Sequence, residues 1–376
     1  MTTLCIGLMS GTSLDGVDAV LAACDEGSPP RTLAALHRPF DAALRQHLLA
    51  LCQGLPITLV ALGAADQRLA RCYADAVHAL LQHSGTRAAD VAVIGCHGQT
   101  VHHQPGGAHP FTLQLGDPNR LAVSTGITVV ADFRRRDMAL GGQGAPLAPG
   151  FHDQVFRHPQ RTRVVLNLGG IANLSVLRPG QPCRGWDSGP ANLLLDAWAL
   201  QHLGQPYDDD GAFARRGQVH TALLQRLLAD PFFALPPPKS TGREHFNLRW
   251  LQQHLQAHAA AHGAQPTPAD VQRTLLELTA STVTDAVRSA TEGAQATGEL
   301  LVCGGGACNG TLMQRLAAGL PGWQVHSTSA LGLDPQQVEA TAFAWFAWRT
   351  LQGLPASLPA VTGASRACVL GGVYLP

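Results

Sequence analysis

Lysine is almost missing from this chain: Lys239 is the only one in 376 residues. No GxxxxGK[ST] string can be written with it, which excludes a P-loop nucleotide site. Fixed positive charge is therefore arginine, and an anionic substrate would meet guanidinium groups and backbone N–H donors. Charge of either sign is scarce at 14%, and 26 basic side chains balance 26 acidic ones. That gives no support to a general nucleic-acid binder, which carries a concentrated basic face. No uninterrupted apolar stretch reaches membrane-spanning length. The opening MTTLCIGLMSGTSLDG lacks the basic flank and long apolar run of a secretion signal, so no membrane partner and a cytoplasmic location are expected. CxxC pairs are absent, and the nine cysteines sit mostly in apolar segments, which predicts a reduced, buried set. HExxH is also missing. His97, His102 and His103 form an H-x4-HH cluster without a third or fourth ligand at workable spacing, which gives no support to catalytic zinc.

What is present is enough apolar residue, 45%, to fill two cores, and 376 residues is the length of two domains. Residues 3–8 and 17–24 are apolar, β-favouring runs joined by a loop of small residues. Helices over 39–52 and 60–83 and strands at 91–95, 111–115 and 127–132 complete an α/β unit. The Gly/Pro-rich stretch 139–150 precedes RVVLNLGGIANLSVL (163–177), which repeats the strand–turn–strand opening. A helix is expected from near Pro190 with Ser188 as N-cap, and another over 268–291. Asp334, Pro335 and Gln337 read as the N-cap, N1 and N3 of a helix running through EATAFAWFAWR, where Trp345 and Trp348 belong to the core. The expected boundaries are 1–130, completed by 350–376, and 131–349.

Three glycine-rich turns at strand ends carry the chemical signal. The first is Gly11, Thr12, Ser13, Leu14, Asp15, Gly16, Val17 and Asp18, whose hydroxyls and backbone can face phosphate oxygens. An aspartate here, Asp15 or Asp18, is suited to hydrated Mg²⁺. Gly169 and Gly170 form the second turn; Gly304, Gly305 and Gly306 form the third, where a flat adenine or ribose could lie. Asn309 either touches ligand or caps the next helix. Each turn alone is weak, but three in this order point to a nucleotide. Asp187, just before an expected helix, is either a cap for backbone N–H groups or a general base. His97, Gln99 and Thr100 on the GCHGQT loop are candidate substrate contacts, as are Arg134, Arg136 and Asp137 after a strand end. Arg134 or Arg136 could hold a carboxylate with a bidentate fork. Glu339 either faces ligand or caps a neighbouring turn.

The strings GLMSGTSLDGVDAVL (7–21), GCHGQTVHHQP (95–105), TGITVVADFRRRDMALGGQGAPLAP (125–149), LNLGGIANLSVL (166–177), GWDSGPANLLLDAW (185–198), PPKSTGREHFN (237–247), LVCGGGACNGTLM (301–313) and DPQQVEATAFAW (334–345) come in an order that resembles the anhydro-N-acetylmuramic acid kinase family along essentially the whole chain. The resemblance implies the two-lobed actin/hexokinase-like fold, with ribonuclease H-like domains duplicated and closing around ATP and sugar. It implies ATP, Mg²⁺ and water acting on 1,6-anhydro-N-acetylmuramic acid to give N-acetylmuramic acid 6-phosphate in peptidoglycan recycling, and a homodimer. Residues 11–18 match the family's ATP-binding segment, and Asp187 matches its catalytic aspartate. Many sugar kinases carry Asp two residues before the first phosphate-loop glycine; Leu8 stands at that place here. An ordinary sugar kinase of this fold, an actin-like filament protein and a phosphosugar-binding regulator are the competing classes. The first needs a free hydroxyl acceptor, the second lacks a sugar site, and the third transfers no phosphate.

Overall fold

The computed structural model describes residues 2–11, 13–291 and 297–376. Thirteen strands lie among them: β1 (Thr3–Met9), β2 (Gly16–Cys24), β3 (Arg31–Pro39), β4 (Val91–Cys96), β5 (Gln99–Gln104), β6 (Phe111–Leu115), β7 (Val129–Ala131), β8 (Arg163–Leu168), β9 (Ile171–Leu177), β10 (Arg184–Pro190), β11 (Gly298–Cys303), β12 (Trp323–Ser327) and β13 (Gly372–Tyr374). The helices that matter for the sites are α1 (Leu59–Ser84), α2 (Arg135–Ala139), α3 (Asn192–Leu203), α4 (Pro268–Thr291), α5 (Gly310–Gly319) and α6 (Val338–Leu351). The chain folds as two compact units, 1–155 with 337–376, and 156–336.

In the first unit the sheet runs β13-β7-β4-β1-β2-β3. β1, β2 and β3 are antiparallel neighbours, while β4 lies parallel to β1 and β7 parallel to β4. β1 and β4 are buried on alternate and intervening positions alike, as strands covered on both faces must be. One face packs on α1, whose Leu69, Tyr73, Val77 and Leu80 join Ile6, Leu8 and Ile94 in a core. Thr58 caps the start of α1 by accepting from the Ala61 N–H at 3.1 Å, and Gly85, in the left-handed conformation, ends it.

The other face meets α6 directly. Gly7 and Gly95 are opposite one another on β1 and β4. A Cβ at Gly7 would overlap the carbonyl oxygen of Ala340, and one at Gly95 that of Phe343. Two missing side chains thus let a helix backbone lie on a sheet backbone, a close approach only glycine permits.

The second unit orders its sheet β10-β9-β8-β11-β12, with β8, β9 and β10 antiparallel and β8, β11 and β12 parallel. Its core joins Val164, Leu166, Leu174, Val302 to Leu275, Leu278 and Val283 of α4 and Leu194, Leu195 and Trp198 of α3. The path β3-β2-β1-β4-β7 in one unit and β10-β9-β8-β11-β12 in the other is the same three-antiparallel, two-parallel topology. The fold is a duplicated ribonuclease H-like α/β architecture of the actin/hexokinase class.

The units exchange at 155/156 and 336/337, whereas the boundaries expected from the sequence were 130/131 and 349/350. Two contacts explain the difference. α6 is seated on Gly7 and Gly95, and Asp137 accepts the Thr362 hydroxyl at 2.7 Å, tying the segment after β7 to the C-terminal segment. Other local expectations also change. β3, β5 and β10 are strands that the sequence reading did not separate from their loops. α3 starts at Asn192 with Ala191 as N-cap, and Ser188 instead donates to the Ala172 carbonyl at 3.3 Å. Asp334 does not cap α6. Its carboxylate accepts from the Gln336 N–H at 2.8 Å, and Gln337 occupies the cap without a side-chain bond. The cysteines are all unbridged among the described residues, and Trp345 and Trp348 are buried in α6.

Gly7→Ala and Gly95→Ala should each force α6 off the sheet and cost about 2–3 kcal/mol, the upper range for overpacking a core. Alanine at Gly63, whose Cβ would meet open space, should unfold at or above the wild-type denaturant concentration. Urea unfolding midpoints read the difference; equal midpoints for all three would remove the close-approach account.

Candidate active site

In the first unit, residues 10–15 link β1 to β2. Ser10 is buried at the start, its hydroxyl 2.7 Å from the Tyr73 hydroxyl and donating to the Gly98 carbonyl at 3.4 Å. Leu14 is buried with φ +55°, an uncommon conformation for a side chain with a Cβ. Strain of this kind, held by the Leu14 core contact, is a feature of ligand loops. Around Gly11 there is room for a Cβ, so packing does not demand glycine there. Gly16 is different, because a Cβ would strike the Arg38 carbonyl. Val17 is fully buried and has only its backbone to offer. Thr12 lies outside the described residues.

The two carboxylates of this segment have separate settings. Asp15 is exposed and accepts the Ser13 hydroxyl at 2.6 Å. Asp18 is half-buried and lies 2.8 Å from His37 Nδ1. Its pKa is raised by desolvation, with His37 opposing. Among the described residues no three His, Cys, Asp or Glu side chains converge on a metal. Mg²⁺ in nucleotide sites commonly takes one or two carboxylates beside phosphate and water oxygens, and Asp15 and Asp18 fit that donor set.

Around α6 the structure gathers His97, Arg134 and Glu339. Arg134 donates through Nε and Nη2 to His97 Nε2 at 3.2 and 2.8 Å, and through Nη1 to the Gly144 carbonyl at 2.9 Å. His97 is 5% exposed and leans on the Phe343 ring at 4.7 Å. With Nε2 accepting, its proton sits on Nδ1, which has no hydrogen-bond partner among the described residues. Burial and Arg134 hold its pKa well below the usual histidine value. Burial pushes Arg134 down to about 10, opposed by Glu339. Glu339 is raised by burial and by Asp18, with Arg134 opposing. Gln99, 1% exposed, donates to the Gly11 carbonyl at 3.2 Å and leaves Oε1 without a partner among the described residues. Thr100 accepts from Gln114 at 3.1 Å.

Arg136 and Asp137 do not join this group. Arg136 is exposed and donates to the Val369 carbonyl at 3.2 Å. Asp137 is fully buried, and its two oxygens receive the Gly144 N–H at 2.8 Å and the Thr362 hydroxyl at 2.7 Å. Its carboxylate, with both oxygens engaged and no surface exposed, ties the Gly144 backbone to Thr362. Behind the Cys96–Gly98 turn, also in this unit, lies a pocket of about 410 Å³ edged by Asp66, Gln114, Asp132, Arg135 and Tyr374.

In the second unit Asp187 sits on β10 next to an irregularity. Asp187 pairs with Asn173, Gly189 with Ala172, and Ser188 is extra. Such a bulge re-aims the neighbouring side chain. Gly189, at φ +148° with the Phe233 ring where a Cβ would go, is the glycine this bend requires. The Asp187 N–H donates to the Lys239 carbonyl at 3.0 Å, and Oδ2 accepts the Thr241 N–H at 2.9 Å. Oδ1 accepts nothing among the described residues. Burial raises the carboxyl to about 6, with the Thr241 N–H lowering it and Glu244 raising it. Asp187 caps no helix; the backbone N–H it accepts belongs to the Lys239–Thr241 run instead.

The remaining two turns adjoin each other. The carbonyls of Gly169 and Gly170 accept from Asn192, Ala191 and Leu193 N–H groups at 3.0–3.1 Å, which seats the start of α3 on the β8–β9 turn. Gly304 has φ +80° and abuts the Asn167 side chain, while Gly306 abuts Leu168. Gly305 alone is exposed, with only Asn192 Nδ2 near its Cβ position at 3.8 Å. Asn309 caps α5 by accepting from Leu312 N–H at 3.0 Å. The sequence reading missed Tyr73, His37 and the Lys239–Thr241 run. For the last, a signal existed in PPKSTGREHF; for the first two, spacing of 63 and 19 residues hides the contacts.

Gly304→Ala should lower stability measurably, by about 1–3 kcal/mol for a left-handed and sterically closed position. Gly305→Ala should stay within about 0.5 kcal/mol of wild type, as exposed substitutions do. Thermal melts without nucleotide check this, and equal losses at both would contradict the division.

The model of the anhydro-N-acetylmuramic acid kinase family matches residues 3–376. Among solved structures, the chain is similar to the activator of the 2-hydroxyisocaproyl-CoA dehydratase from Clostridium difficile with bound ADPNP, at 13% identity over 94% of this chain and 96% of that one, TM-score 0.45. It is also similar to a ROK family glucokinase from Streptomyces griseus in complex with glucose and AMPPNP, at 15% identity over 92% and 99%, TM-score 0.38. Likenesses this distant carry no weight beside the topology and the family match. That match runs along essentially the whole chain, which belongs to the anhydro-N-acetylmuramic acid kinase family of ATP-using phosphotransferases.

Proposed function

We propose that the protein opens the 1,6-anhydro ring of 1,6-anhydro-N-acetylmuramic acid with water and transfers the γ-phosphoryl group of ATP to O6. The products are N-acetylmuramic acid 6-phosphate and ADP, in peptidoglycan recycling. The observation that supports this reading, beside the family match, is Asp187: a carboxylate raised to about 6, with one oxygen fixed by the Thr241 N–H and the other without a donor among the described residues. A base with a pKa just below neutral is ionised at working pH and still takes a proton effectively.

In this reading Asp187 removes a proton from water as the water oxygen bonds to C1. The C1–O6 bond breaks, and O6 takes the phosphoryl group, so no separate acid is needed to protonate the leaving oxygen. A retaining glycosidase would need a carboxyl nucleophile and an acid instead. Backbone donors of residues 11–18 and of the turns at Gly169–Gly170 and Gly304–Gly306 hold the nucleotide. Mg²⁺, held through Asp15 or Asp18, would supply charge neutralisation on the phosphates. His97, Gln99, Thr100, Arg134 and Glu339 bind sugar. Arg134 is the better candidate for the substrate carboxylate, because it is the arginine placed beside His97 and Glu339. The enzyme works as a cytoplasmic homodimer, as the family resemblance implies. No helix among the described residues is long and apolar enough to cross a membrane.

Coupled ADP release should depend on the anhydro sugar, with mass spectrometry showing a 6-phosphosugar in equal amount. Ring opening without nucleotide would contradict the reading. Asp187→Asn should lose at least about 10²-fold in kcat, the usual scale of positioned acid–base catalysis. Wild-type kcat should fall as pH drops through about 6, where Asp187 becomes protonated. The sign for stability is opposite to that of a salt-bridged aspartate. Because the folded-state pKa lies above the ordinary value, ionisation of Asp187 costs stability at pH above about 6, and the cost vanishes toward pH 4. Asp187→Asn should therefore melt no lower than wild type at pH 8. An inactive variant that also melts much lower would leave misfolding, not base removal, as the cause and would count against the assignment.

A further inference from the structure

We propose that Lys239, the chain's only lysine, is the positioning residue that anchors the Lys239–Thr241 run and thereby holds the Asp187 carboxylate in its working orientation. The inference rests on the assignment of Asp187 as base. The run grips Asp187 twice: the Lys239 carbonyl takes the Asp187 N–H at 3.0 Å, and the Thr241 N–H reaches Oδ2 at 2.9 Å. What fixes the run is the Lys239 side chain. Its ammonium donates to the Phe232 and Phe233 carbonyls at 3.0 and 3.1 Å and lies 4.6 Å from the Phe232 ring centroid. Two carbonyls and an aromatic face make a strong seat for a cation.

The seat is itself rigid. Phe232 and Phe233 belong to the short helix Pro231–Ala234, capped by Asp230 through the Phe232 N–H at 3.0 Å. Asp230 also receives the Trp250 indole N–H at 2.9 Å and lies 3.0 Å from His245 Nε2. The Phe233 ring occupies the space above Gly189, so the same helix braces the bulge beside Asp187. Sequence adjacency alone would leave 235–240 to wander: it contains three consecutive prolines and no helix or strand. One ammonium therefore links the proline segment, the brace of the bulge and the carboxylate. Glu244 is a charged group felt by Asp187, and it acts against ionisation; the ammonium acts through the backbone of its run and not through its field.

The test compares full-length Lys239→Met, Lys239→Arg and wild type dimethylated by reductive methylation in the folded state. Dimethylation modifies only Lys239 and the terminal amine. The same treatment of Lys239→Arg isolates the amine's share. Lys239→Met should lose about 10–100-fold in kcat, the effect of small misplacements near a reacting group. Its acid limb should move to higher pH, because loosening the Thr241 contact removes the hydrogen bond that favours the ionised carboxylate. Mg–ATP affinity should stay within about twofold, since the lost interaction is not made to nucleotide. Lys239→Arg keeps donors for both carbonyls and should restore most of kcat and the wild-type acid limb. In an Asp187→Asn background, Lys239→Met should change residual turnover by less than about twofold, because the two residues act as one unit.

Folded Lys239→Met with wild-type kcat and acid limb overturns the proposal. So does a reduced kcat with an unmoved acid limb, which is what a purely structural lysine would give. If Lys239→Met does not fold, dimethylated wild type is judged by the same two readings. Substantial turnover by Asp187→Asn would sink the base assignment and this inference with it. An inert Lys239 beside an essential Asp187 would sink this inference alone.

Discussion

The first unit depends on two glycines opposite one another. Because Gly7 and Gly95 have no side chains, α6 rests its Ala340 and Phe343 carbonyls on the sheet. That seating brings the Phe343 ring against His97, and puts Glu339, in the first turn of α6, in the field of Arg134 and Asp18. From the opposite face, Tyr73 of α1 reaches Ser10 at the head of the β1–β2 loop. The loop and the polar group beside it are thus positioned by packing on both faces of one sheet. Neither is independent of the core.

The second unit applies the same constraint differently. Gly304 and Gly306 let the third turn press on Asn167 and Leu168 of β8, and Gly169 and Gly170 give their carbonyls to the start of α3. These glycines serve backbone approach first. Gly305 alone of the three stays exposed and uncrowded. Asp187 gains its raised pKa from burial at a bulged strand end, and the Thr241 N–H limits how far it rises. A carboxylate kept desolvated and held by one donor is a costly arrangement for the fold.

Much of this was legible in residues alone. The strand–turn–strand repeats at 3–24 and 163–177 mark the duplication, and each became the antiparallel half of a sheet. The three glycine turns fell where strands end. The sequence could not say which glycines answer to packing, because that depends on residues such as Ala340 and Asn167, distant in the chain. The same limit affected the arginines: Arg134 and Arg136 are alike on paper, but one faces His97 and the other the tail backbone. Asp137 read as a candidate because polar residues crowd a strand end there; Thr362, 225 positions away, engages its carboxylate. Cap assignments failed at Ser188 and Asp334 for a local reason. A bulge and an Asx turn used those side chains before the helix began.

The central claim is that Asp187 directs water to C1 while ATP captures O6. The most direct measurement is a single turnover of the anhydro sugar with Mg–ATP in ¹⁸O-water, quenched before the anomers exchange. The account predicts label in the C1 hydroxyl of the 6-phosphosugar and none in the transferred phosphoryl group. Label in the phosphoryl group, or its absence from the fresh C1 hydroxyl, would contradict it.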